Sequence, residues 1–142
     1  NIGSPKLMDF TVIGDPVNLA SRIAPATTPY GADILVCGTT WSRLAEPPRA
    51  RRLDVVRLRG QTRSTELWEM LAHRPDVPDA SIATYGRSLD TYLAGDWQAA
   101  QRPFAASLAI WPDDRPAALM ADRCCRLLAA PPERWDGIVD QL

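Results

Sequence analysis

Seven residues constrain this chain more than any others: His73, Arg74, Pro75, Asp76, Val77, Pro78 and Asp79. Two prolines so close together remove backbone donors and lock φ, so no helix or strand continues through the segment. The pattern changes across it. Upstream, short β-branched runs alternate with turn formers. Downstream, the composition becomes rich in Ala and Leu. The expected organisation is an α/β unit over 1–72, a linker over 73–79, a helical segment over 80–129 and a C-terminal tail over 130–142.

The first half reads as alternating elements. Phe10 to Ile13 is aromatic and β-branched, as a short strand would be. Gly14, Asp15 and Pro16 follow. Asp suits a helix N-cap and Pro the first helical position. Val17, Leu19, Ala20 and Ile23 then give a helix its apolar face, ending near Ala24 and Pro25. Asp33 to Cys37 reads as a strand, and Thr39 or Thr40 can cap a short helix through Leu44. Leu53 to Arg59 alternates Val and Leu with charge, as a strand with one wet face would. A turn at Gly60 and a strand over 65–71 complete a hairpin.

Helices are expected over 80–94, 96–110 and 114–129. Pro103 should kink or split the second of them. Gly95, Ala100, Phe104 and Pro112 stand at the spacing of one tetratricopeptide second helix, but the first helix lacks the matching pattern. The bland reading is a helical appendage packed on the α/β unit. The functional reading is an interaction module, with Trp97, Phe104 and Trp111 as anchors for a protein partner.

Composition excludes several functions. A formal net charge of −1 gives no broad attraction to nucleic acid or anionic lipid. Three cysteines, two of them adjacent, make a poor disulfide framework, so free thiols are expected. Neither Cys nor His spacing suggests zinc, and His73, the single histidine, is a weak catalytic candidate. No apolar run is long enough to span a bilayer. The start at Asn1, in what reads as the middle of a hairpin, implies a piece of a longer protein. A cytoplasmic location is expected for this part, with the parent soluble or membrane-anchored.

Arginines crowd positions 49, 51, 52, 57, 59 and 63. They are either solvated strand and turn positions, or one or two of them face a phosphate. A sharper signal is Asn18 with Arg22. Four residues apart on a helix, they share a face near its start. Helix N-termini favour anions, and the guanidinium fork matches phosphate oxygens. These residues alone suit a phosphate-containing ligand, yet an Asn and an Arg on a surface helix are more often simply solvated.

A longer pattern surrounds them. Asn1-Ile2-Gly3-Ser4, then Asp9-Phe10-Thr11-Val12-Ile13-Gly14-Asp15, then Val17-Asn18-Leu19-Ala20-Ser21-Arg22, resembles the signature of class III adenylate and guanylate cyclases. The resemblance runs on through Tyr30-Gly31, Ile34-Leu35-Val36, Leu53 to Gly60, and Glu66-Leu67-Trp68-Glu69. It covers about residues 1–72 and corresponds to the C-terminal half of the catalytic domain. The implied fold is an α+β sandwich with a βαββαβ core, ferredoxin-like and similar to polymerase palm domains, followed here by an all-α tail.

The resemblance implies roles residue by residue. Asn18 is similar to the asparagine that positions the ribose. Arg22 is similar to the arginine that stabilises charge on the α-phosphate. Thr11 stands where the family reads the base, and a Thr-type subgroup of adenylate cyclases points it to ATP; as a plain reading, it is a β-branched residue filling a strand. Arg59 stands near the nucleotide phosphates. Gln61 replaces a second cation common there, Pro16 a small residue, and Phe10 a Tyr. Two divalent metals, Mg²⁺ or Mn²⁺, are implied as cofactors, with both aspartate ligands upstream of this chain and none within it. The implied partners are ATP and a second cyclase domain in a head-to-tail homodimer. This piece alone is therefore expected to be inactive. The competing expectations are a degenerate nucleotide-binding or dimerisation domain, a guanylate cyclase, or the helical interaction module.

Overall fold

The computed structural model describes residues 15–140. The strand expected over Phe10 to Ile13, and Thr11 with it, lies outside them. Helix α1 spans Asp15–Ile23 and runs directly into a 3₁₀ turn, Ala24–Ala26, and a one-turn helix α2, Thr27–Tyr30. Gly31, at φ 64°, ends α2 in the left-handed region that glycine enters without steric cost. Strand β1, Leu35–Cys37, leads into α3, Gly38–Ser42. Strands β2, Ala50–Arg57, and β3, Ser64–Met70, form the expected hairpin.

The sheet order is β1-β3-β2-β4, and the first three strands pair antiparallel. The pairing register shifts between Arg52 and Asp54. The bulge inserts a residue, so Leu53 and Asp54 are both buried in succession. This departs from the single wet face expected of β2. Arg51, Asp54 and Glu69 are all buried polar groups, because helices cover the sheet where solvent was expected.

Those helices are α4 (Asp79–Leu93), α5 (Trp97–Ser107) and α6 (Arg115–Ala129). Asp96 and Asp114 cap α5 and α6 by accepting from the amides of Ala99 and Ala117. Pro103 neither splits nor ends α5, which is continuous through it. The bond Pro103 cannot make belongs to the carbonyl of Ala99, an exposed residue that water can reach. Helix α4 lies along β2, and the Tyr85 hydroxyl donates to the Leu53 carbonyl at 2.7 Å.

The segment over 73–79 is held in place. The Arg49 guanidinium donates to the carbonyls of Arg74 and Val77 and to Asp79, and Val77 is buried. Past α6 the chain is not purely helical. Val139–Asp140 form β4, parallel to β2 at Val56 and Arg57. Trp135 donates to the Leu93 carbonyl at 3.0 Å, which brings the chain back toward the sheet. A single hydrophobic cluster joins Ile23, Tyr30, Leu53 and Leu67 to Tyr85, Phe104, Met120 and Cys124. Sheet and helical segment therefore share one core.

Candidate functional site

Two of the four expected site residues meet in space. Arg22 falls in the last turn of α1, not near its start as expected, so the helix N-terminus adds nothing to its attraction for an anion. It is exposed, and its Nη1 donates to the Arg59 carbonyl. Arg59 lies in the turn between β2 and β3, closed by the Gln61 amide donating to Leu58 at 2.9 Å. Gly60 makes the approach possible. Its φ of 78° suits glycine, and a Cβ there would stand 2.3 Å from Arg22 Nη1. Asn18 is on α1 with Arg22, but its side chain is outside what the structure describes, as is all of Thr11.

The edge around this turn is cationic. Arg59 and Arg63 are exposed, and Arg57 is half-buried, 3.6 Å from Asp136. One bond to a carbonyl uses one of the five guanidinium donors of Arg22, which leaves capacity for an anion. A nearby cleft of about 340 Å³ lies between α1 and β1. Its lining includes Ile23, Leu35, Cys37 and Thr40, and its charged member is Asp33. That chemistry does not suit a polyphosphate, whereas the arginine edge does. Among the described residues, no three His, Cys, Asp or Glu side chains come together as a metal-binding group.

Other candidates have structural partners. His73 Nε2 lies 3.0 Å from Asp33 Oδ2. Cys37 and Cys124 are buried free thiols, and burial pushes Cys124 up to about 11. Phe104 is fully buried, and Trp97 packs against the core and edge-on to Trp135. Trp111 lies beneath the guanidinium groups of Arg51 and Arg74. These three aromatics are thus engaged within the chain.

Sequence reasoning missed two buried clusters between sheet and helices. In the first, Arg51 donates to Glu69 at 2.7 Å and, through both terminal nitrogens, to Asp114 at 2.8 and 3.0 Å. Burial pulls the Arg51 pKa down, but the Asp114 hydrogen bonds and the Glu69 charge outweigh it and hold the pKa above its ordinary value. Burial keeps Glu69 above the usual carboxylate range despite Arg51. In the second cluster, the Tyr30 hydroxyl donates to Asp54, and Arg123 Nη1 lies 2.5 Å from the same carboxylate oxygen. Arg123 also reaches the hydroxyls of Tyr30 and Tyr92, each at 3.4 Å. The available signal was an alternation of Arg, Asp and Glu with apolar residues, which a wet strand face also produces.

The fold and this edge define an α+β chain with exposed arginines gathered at one turn. Comparison with known proteins sharpens that class. The chain is 25% identical over 130 residues to the terminal-differentiation-specific adenylate cyclase of Dictyostelium discoideum, a match covering 87% of this chain and 6% of that protein. It is 24% identical over 71 residues to adenylate cyclase 1 of Rhizobium meliloti (strain 1021), covering 50% of this chain and 11% of that protein. The chain thus spans only a small part of the length of these relatives. Residues 1–72 are about half of the chain, so a match over 87% of it runs into the helical segment. No family model and no solved structure matches the chain. The chain is similar, at low identity and over partial stretches, to adenylate cyclases.

Proposed function

We propose that this chain is the C-terminal part of an adenylate cyclase catalytic domain, which converts ATP to 3′,5′-cyclic AMP and pyrophosphate. The observation that carries this reading is the meeting of Arg22 with the Arg59 turn across 37 residues of sequence. The resemblance in sequence assigned both residues to the nucleotide phosphates. The similarity to two adenylate cyclases supports it independently.

In this reading the parent domain has a palm-like βαββαβ core and pairs head to tail with a second copy. A two-fold arrangement uses one surface twice. Asn18 orients the ribose so that its 3′-hydroxyl faces the α-phosphate. As that phosphorus becomes pentavalent it gathers negative charge, and Arg22 is a preplaced cation to stabilise it. Arg59 binds the phosphates and Thr11 faces the base. Alignment of two groups of one substrate is the larger part of the task. Such a reaction uses two divalent ions held by two aspartate ligands. The reading assigns those ligands to the upstream half, and the 142-residue piece alone is inactive.

The test is to assay the domain completed with its upstream half, with Mg²⁺ or Mn²⁺, offering ATP or GTP and identifying cyclic products by mass. Cyclic AMP is expected, and Arg22→Ala should cut turnover by roughly 10²–10³. A loss under about threefold would remove Arg22 from the mechanism. Cyclic GMP as the main product would overturn the assignment of Thr11 to ATP. No cyclic product from a folded dimer would overturn the enzyme reading.

A further inference from the structure

We propose that the helical segment positions the helix bearing Asn18 and Arg22, and that Arg123 is the residue through which it does so. The inference rests on the cyclase reading for its catalytic consequence, but its structural part stands without it. Helix α1 runs through the 3₁₀ turn into α2 with no loop between them. Where Tyr30 is anchored therefore decides where the far end of this continuous unit lies. Tyr30 is fully buried, and its hydroxyl is bound to Asp54, itself fully buried.

Asp54 is the junction of the two halves of the candidate site. It sits on β2, the strand that leads into the Arg59–Gly60 turn. Through Tyr30 it holds the unit that carries Arg22. Arg123 on α6 binds the junction from the other side, at 2.5 Å from Asp54 and 3.4 Å from the Tyr30 hydroxyl. A second arginine of α6 grips the same unit. Arg115 lies so close over Gly31 that a Cβ there would stand 2.6 Å from its Cδ, and its Nη2 lies 3.5 Å from the Thr28 carbonyl. One helix of the tail thus touches both elements whose alignment sets the distance between Arg22 and Arg59.

A buried carboxylate that loses its cation is left uncompensated. Removing Arg123 should therefore release Tyr30 and loosen α1 and α2, while the α4–α5–α6 packing, which rests on Phe104, Met120 and Leu89, persists. Arg123 does not touch the candidate site, so it is a positioning residue.

The experiment uses the protein completed with its upstream half. Arg123→Met should lower kcat by roughly 10-fold to 10²-fold with little change in KM for ATP, the cost of misplacing a catalytic group by about 1 Å. Arg123→Lys should recover part of the loss. In an Arg22→Ala background, Arg123→Met should cost almost nothing further, because the group it positions is gone. Hydrogen exchange supplies the readout independent of activity: amides over 17–31 should lose protection while α4, α5 and α6 keep theirs. Unchanged protection over 17–31 would overturn the proposal. So would equal activity losses with and without Arg22, or loss of protection in every element at once. Tyr30→Phe, which deletes only the hydroxyl, gives the same contrast if Arg123→Met does not fold. If the parent makes no cyclic nucleotide at all, the cyclase reading fails, and the exchange result still decides the positioning claim.

Discussion

Strand β2 carries arginine toward two different environments. Near its start, Arg51 is buried between Glu69 and Asp114, with Tyr85 against its guanidinium at 4.3 Å. Just past its end, Arg59 stands in solvent beside Arg22. The same side chain serves as an internal strut in one place and as a solvent-facing cation in the other. What differs is the cover. Helices close over the first position, and only the turn at Gly60 surrounds the second. A buried pair must be fully satisfied to be tolerated, whereas an exposed cation is stabilised by water and keeps donors for a ligand.

The comparison breaks most sharply at Arg51. Arg51→Ala would leave two carboxylates, Glu69 and Asp114, facing each other in the core. A loss of about 3–5 kcal/mol is expected in a denaturant unfolding experiment. If Arg51→Ala cost no more than an ordinary surface change, the buried cluster would not be a strut.

The next effect is one of pH. All three tyrosines of the chain, Tyr30, Tyr85 and Tyr92, lie in the interface between sheet and helices. Burial pushes all three above their ordinary value, Tyr92 up to about 12. An unfolded tyrosine ionises near 10, so folding holds these protons more tightly than the unfolded chain does. Stability from this source is fully present below about 10 and is lost as pH rises through the folded values, on the order of 2 kcal/mol for Tyr92. Unfolding midpoints followed up to about pH 12, with tyrosinate absorbance read alongside, should show ionisation and unfolding together. Tyrosinate absorbance that rises near pH 10 in the folded chain would contradict the burial.

The smallest stability effects belong to the exposed end. Arg59→Ala should change stability by about 0.5 kcal/mol or less. Gly60→Ala should cost about 1–2 kcal/mol, because a left-handed backbone disfavours a Cβ. In the domain completed with its upstream half, the proposed cyclase turnover should fall further in Gly60→Ala than its stability cost explains, since its Cβ would displace the Arg22 guanidinium. Full activity for Gly60→Ala would separate the Arg22–Arg59 contact from function.

Much of the local structure was legible in the sequence. The hairpin at Gly60, the helix after Asp15 and the three helices beyond Pro78 all lie within a few residues of where patterning and capping signals put them. Of the candidate site, Arg22 and Arg59 were each singled out in the sequence, but their contact across 37 residues was not legible there. The bulge at Leu53 was not, because a one-residue slip leaves no mark in composition. Nor was the unbroken course of α5 through Pro103, where exposure of the orphaned carbonyl decides the outcome.

The sequence by itself determined the order and type of most elements, the interruption at 73–79 and the helix that carries Arg22. Those depend on neighbours within a turn or two, which propensity, capping and periodicity report. Only the tertiary structure decided which charges are buried struts and which stand in solvent. Arg51 finds Asp114 63 residues away, and Arg123 finds Asp54 69 residues away. Burial of a charge is settled by what packs over it, and that partner comes from a part of the chain that no local pattern can see.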